Sequence, residues 1–189
     1  MTYLGYEIFT KDPLIEAQSS SINNEYILIG KDYKKQSKYV YQPTQRGFVW
    51  NFFLKDSADK ANLRNFFISH FGRYRAFWLP SFKNDFEIIF QTTQNSFTCK
   101  KAFRAEGFFN QKRHIYIPDF SFASKIDVIT TNDETETVTL LNNLPNIIGS
   151  NVMNLFLVRF DSDDFKIEAI GRKAFKVNLS FKEVQGETP

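Results

Sequence analysis

One cysteine, Cys99, stands in a chain of 189 residues, so no intramolecular disulfide can form. A lone thiol also leaves no cysteine-built zinc site and no Cys-X-X-Cys redox pair. Histidine is nearly as scarce: His70 and His114 have no Cys or carboxylate partner at ligand spacing. The eight glycines lie scattered, so no phosphate-cradling loop is present, and there is no G-x-S-x-G elbow and no H-E-x-x-H. No catalytic residue, metal ligand or cofactor-binding residue is assigned on these patterns. The paired carboxylates of a glycosidase are set by space rather than spacing, and nothing in the chain points to them. Long apolar runs are missing too. Leu155–Val158 is among the longest, far short of the ~20 residues of a spanning helix, so no membrane contact is expected. Residues 1–12 show no basic region followed by an apolar stretch, so no secretory leader is expected and the chain reads as made in the cytoplasm.

What the sequence has in excess is phenylalanine. Twenty-two Phe with eight Tyr and two Trp make it 17% aromatic, against 24% charged residues and a net charge of +3. The length suits one domain, or one domain with a modest insertion. It suffices to bury roughly 70% of the unfolded surface without staples.

Strict alternation marks the strands. Over 174–184, Phe175, Val177, Leu179 and Phe181 point one way, while Lys176, Asn178, Ser180 and Lys182 point the other. Over 164–170, Phe165, Ile167 and Ala169 share a face, and Gly171-Arg172 makes a turn into the next strand. In 46–54, Phe48, Trp50, Phe52 and Leu54 face inward; in 85–91, Phe86, Ile88 and Phe90 do the same. Weaker strands are expected at 26–31, 39–42, 114–118, 125–130, 135–141 and 154–159.

One helix is expected over 57–71. Asp56-Ser57 supplies its N-cap, and Asp59 sits near the positive end of the dipole. Leu63, Phe66, Phe67 and His70 form one stripe, and Gly72 stands where a left-handed C-terminal cap belongs. A composition shift near 92–97 and another near 149–154 suggest a small β domain, 94–153, inserted into a main domain of 1–93 plus 154–189.

Charge is unevenly placed. Residues 31–75 hold ten basic against three acidic side chains, +7, while 119–168 hold three against nine, −6. Opposite-signed portions suit head-to-tail contact between copies, although two solvated faces account for the count equally well. The Asp161-Ser162-Asp163-Asp164 cluster departs from a calcium loop, with Lys166 where glycine belongs and Arg172 where the closing Glu belongs. A turn accounts for it better.

Taken in order, G-F-V-W-N-F-F-L (47–54), S-A-D-K-A-N-L-R-N-F-F-I-S-H-F-G (57–72) and R-Y-R-A-F-W-L-P (73–80) resemble the distal tail and minor tail proteins of long-tailed phages. The segment V-R-F-D-S-D-D-F-K-I-E-A (158–169), with the strand after it, is similar to the closing hairpin of such tail-tip components. Gly72, Phe77, Trp78 and Pro80 carry the resemblance as packing residues. It implies a mainly β (α+β) fold: an antiparallel tail-tube-like sandwich or barrel with one packed helix and the inserted domain. It also implies a virion structural protein that acts as no enzyme and needs no cofactor. Its partners would be itself, in a homo-hexameric ring of about six copies, the tail tube protein, the tip or hub protein and, in passing, genomic DNA. Lys176, Asn178, Ser180 and Lys182 would then face the lumen. Two alternatives stand beside this: an OB-like single-stranded nucleic-acid-binding module using the basic stretch 31–38, and a carbohydrate-binding module using Phe108, Phe109, Tyr116 and Phe120. Rings on both faces of the same strands, such as Phe53 and Phe77, point to cover supplied by partner subunits.

Overall fold

The computed structural model describes residues 1–14, 19–23, 26–29, 38–41, 45–101 and 113–184. Residues 31–37 of the basic stretch, and Phe108 and Phe109, lie outside them. The chain is mainly β, with antiparallel strand pairs and one α-helix among the described residues.

In chain order, β1 (Thr2–Tyr3) and β2 (Tyr6–Glu7) form a short hairpin. Then come β3 (Ser19–Asn23), β4 (Tyr26–Ile29), β5 (Lys38–Tyr41) and the long β6 (Gln45–Leu54). Helix α1 (Ser57–Ser69) leads into β7 (Phe77–Pro80). β8 (Ile88–Thr93), β9 (Ser96–Lys100), β10 (His114–Ile117), β11 (Phe122–Thr131) and β12 (Thr135–Leu140) follow. β13 (Met153–Phe160), β14 (Ile167–Ala169) and β15 (Phe175–Glu183) close the chain.

Two compact units divide it: residues 1–10 with 78–156, and residues 11–77 with 157–189. This is not the division that composition suggested. An edge at 93/94 falls in the turn of the β8–β9 hairpin, whose strands pair from Ile88↔Cys99 to Thr93↔Ser96. Polar turn residues there mark a hairpin, and hairpin strands share one sheet.

In the unit of 11–77 and 157–189, β6 lies along one edge of β15, Phe181 opposite Phe48 and Phe175 opposite Leu54. β3 covers the other edge of β6. The second edge of β15 takes β14 near its start and the end of β13 near its finish. The alternation read from sequence sets the buried face: Phe48, Trp50, Phe52, Leu54, Val177, Leu179 and Phe181 are buried. Helix α1 covers it with Leu63 and Phe67. Asp56 caps the helix by accepting the Asp59 N–H at 2.8 Å, and the Asp59 carboxylate reaches back to the Lys55 N–H at 3.1 Å and Lys11 Nζ at 2.8 Å. Regular helix ends at Ser69, with His70 as its C-cap. β14 is shorter than the alternation over 164–170 suggested, and Phe165 is instead half-buried against Phe67, ring centroids 5.1 Å apart.

In the unit of 1–10 and 78–156, the strand order is the start of β13, then β10, β11, β12, β9 and β8. Phe86, Phe97, Cys99, Ile115, Ile117, Val138 and Leu140 form its core. Phe90 points outward, against the reading from alternation, and is exposed. The cause is an irregularity in register: Ile88 faces Cys99 but Phe90 faces Thr98, so Ile89 is an extra residue and the alternation changes face there.

Candidate functional site: the outward face of β6 and β15

On the outward face of the β6–β15 pair, Lys176 lies opposite Phe53, Asn178 opposite Asn51, Ser180 opposite Val49 and Lys182 opposite Gly47. Directly opposed residues on one face of a sheet touch, so these form a two-column array rather than a single row. Lys176 and Asn178 are exposed, whereas Ser180 and Lys182 are half-buried. β14 adds Glu168 opposite Lys176, a carboxylate across from an ammonium. The column on β6 is partly apolar, with Val49 41% and Phe53 38% exposed. The four predicted residues are thus brought to one face, and the two apolar neighbours come with them. Phe53 was legible in the alternation of β6, but its place beside Lys176 follows only from register.

A shallow cleft of about 290 Å³ opens beside Asn178 and Ser180, where the Asp161 N–H donates to the Ser180 carbonyl at 2.8 Å. Phe67 and Phe160 form its floor, and Asp164 and Lys166 stand at its rim as an exposed pair 3.6 Å apart. In the acidic cluster the Asp164 N–H donates to Ser162 Oγ at 3.0 Å, the hydrogen bond of a turn.

The fold-signature residues fall into two groups. The left-handed place directly after the His70 cap is taken by Phe71, φ +50°, rather than by Gly72 as the sequence suggested; Gly72 follows it, also left-handed, at φ +57°. Its N–H donates to the Phe67 carbonyl at 3.3 Å. Phe77 is fully buried among rings of its own unit: Phe160 at 4.8 Å, His70 at 5.0 Å and Phe66 at 5.1 Å. Its cover is therefore found inside the chain, which corrects the expectation that a partner subunit supplies it; Phe53 of that pair is the partly exposed one, at 38%. His70 Nδ1 lies 2.8 Å from the Phe66 carbonyl, and its ring stacks on Phe66 at 4.2 Å.

Trp78 and Pro80 belong to the other unit, where both are buried. The Trp78 indole N–H donates to the Tyr3 carbonyl at 2.9 Å, and the Tyr3 hydroxyl lies 3.0 Å from His114 Nδ1. The rings of Trp78 and His114 are 4.6 Å apart. Burial pushes the His114 imidazole down to about 4, with the Lys125 charge adding to it, and burial pushes the Tyr3 hydroxyl up to about 12. With the imidazole neutral and the phenol protonated, the two groups share one hydrogen bond whose donor is set by the imidazole tautomer. This cluster ties the β1–β2 hairpin to the sheet, and residues 75 and 111 positions apart gave no sequence signal of it.

Of the aromatic residues proposed for sugar stacking, Tyr116 is buried and Phe120 is exposed. Among the described residues no group of three or more His, Cys, Asp or Glu side chains is placed to hold a metal ion, and no helix is long and apolar enough to cross a membrane. No protein-family model matches the chain, and no curated protein matches it.

Proposed function

We propose that the chain is a structural subunit of a phage tail tip, assembling with copies of itself into a ring that joins the tail tube to the tip and surrounds the DNA conduit. The observation that supports this most is the outward face of β6 and β15. Its other face is closed by aromatic rings, so the outward one is the face available to a channel or a neighbour. Lys176, Asn178, Ser180 and Lys182 are residues that pass a polyanion without gripping it: two ammonium groups spaced along one strand, with an amide and a hydroxyl between them. Val49 and Phe53 supply apolar contact beside them. The work is mechanical: antiparallel sheets and aromatic packing hold shape without a cofactor, and no residue is given a catalytic role. In this reading the protein resides in the virion, with the tail tube protein and the tip or hub protein above and below it.

Electron micrographs of the purified protein test the reading. Rings with a central hole are expected, and they should not bind single-stranded DNA tightly. Isolated particles that bind single-stranded DNA with a steep dependence on salt would replace the ring with a strand-binding module.

A further inference from the structure

We infer that the end of α1 and the turn after it form the contact through which one copy docks on the next. The inference rests on the ring reading above and names the surfaces that would build the ring. Within seven residues, Ile68 is 54%, Phe71 60% and Tyr74 76% exposed. They are held rather than loose. The Phe71 N–H donates to the Ile68 carbonyl at 2.9 Å, the Tyr74 N–H to the Phe71 carbonyl at 3.2 Å and the Arg75 N–H to the His70 carbonyl at 3.0 Å. Phe71 adopts φ +50°, which L side chains rarely accept, and there its ring stands in water. The Arg75 guanidinium lies over that ring, 4.9 Å from its centroid. Arg64 is exposed one helical turn before Ile68. Aromatic rings with arginine are the composition of the anchoring centre of protein interfaces.

The occupant follows from charge. The unit of 11–77 and 157–189, which carries this patch, has 17 basic and 12 acidic side chains, +5; at the patch itself Asp163 pairs with Arg73, and Arg64 and Arg75 add two further cations. The other unit has 7 and 9, −2. On that second unit, Asp127 is exposed at a break in register on β11, next to Val128, and Asp133 and Glu134 are exposed in the β11–β12 turn. Val128 shares its sheet face with Thr130, Thr137 and Thr139. Two different surfaces of opposite sign on one chain make a heterologous contact between copies, the kind that closes into a ring.

The test uses the full chain in two forms, Tyr74→Glu and the double variant Asp133→Lys with Glu134→Lys. All three positions are exposed, and circular dichroism verifies that each form folds. Wild-type protein is expected to assemble over a concentration series in light scattering, each variant alone to lose about tenfold or more in association constant, and an equimolar mixture to stop at a one-to-one dimer. If wild type assembles and either variant assembles equally well, or the mixture stays monomeric, this contact is wrong while the ring stands. If wild type itself stays monomeric at every concentration, the ring and the contact fall together.

Discussion

Asp163 holds Arg73 by both backbone and side chain: one carboxylate oxygen accepts the Arg73 N–H at 3.0 Å, and the other accepts guanidinium hydrogens from Nε at 3.0 Å and Nη2 at 2.8 Å. The acidic turn after β13 is thereby fastened to the chain just past helix α1, and the residue between them in space is Gly72.

Gly72 is fixed by two separate requirements. Its φ is +57°, and a Cβ there would lie 2.6 Å from Asp163 Oδ1 and 3.2 Å from the Asp163 Cα. Gly149 shares the first requirement, φ +84°, with nothing within 4 Å. Gly149→Ala should cost roughly 1–2 kcal/mol from backbone strain alone. Gly72→Ala should cost measurably more in denaturant unfolding, because the Arg73 contact must also open. Equal losses would show that the Asp163 contact does not matter.

The same pair sets a pH dependence. Hydrogen bonds from Arg73 hold the Asp163 carboxyl below the usual carboxylate range. A folded-state value below the unfolded one means that the contribution is present above the ordinary aspartate range and is lost as pH falls through it. Both side chains are largely exposed, so salt weakens the effect. An NMR titration should place the Asp163 midpoint below that of free aspartate and raise it in Arg73→Gln. An unchanged midpoint in that variant contradicts the pairing.

His114 predicts acid lability of the same sign by a different route, since here burial disfavours the charged form. Its imidazole titrates near 4 in the folded chain against 6.5 ordinarily, so the unfolded chain takes the proton first. Stability is then complete above about pH 6.5 and falls between there and about 4, by on the order of 3 kcal/mol. His114→Asn should flatten that limb of the unfolding profile. Tyr3→Phe removes the hydrogen bond between the Tyr3 hydroxyl and His114 Nδ1 and should cost about 1 kcal/mol at neutral pH. A profile unaltered by His114→Asn would show that the loss lies elsewhere.

Phe160 joins the ring cluster of its unit, with Phe67 at 4.7 Å, Phe77 at 4.8 Å and Phe181 at 5.5 Å. Phe160→Ala should cost about 3–5 kcal/mol, the range of large-to-small changes in a core. Phe53→Ala, on the outward face, should cost under about 1 kcal/mol in the isolated chain. Comparable losses at both positions would contradict the assignment of faces.

These positions also show how far the sequence could be read. Period-two alternation found the buried faces of β6 and β15, because each strand has one wet face and one dry one. Asp56 marked the start of the helix, because capping chemistry is local, but the left-handed exit falls on Phe71, one residue before Gly72, where no side-chain preference announces it. Phe90 departs from the alternation because one extra residue, Ile89, is invisible to a pattern that assumes an unbroken pleat. The Tyr3–Trp78–His114 cluster was beyond reach because no local pattern encodes a contact across 111 positions. The outward array was half legible: Lys176 and Asn178 follow from alternation, but Phe53 and Asn51 beside them follow from register.

The mass of the particle in solution decides between a ring and a single chain. The chain weighs 22.2 kDa. Native mass spectrometry of purified protein should find a closed assembly of about six copies, with Lys176→Glu retaining the wild-type fold. A single species of one chain mass at every concentration would contradict the ring.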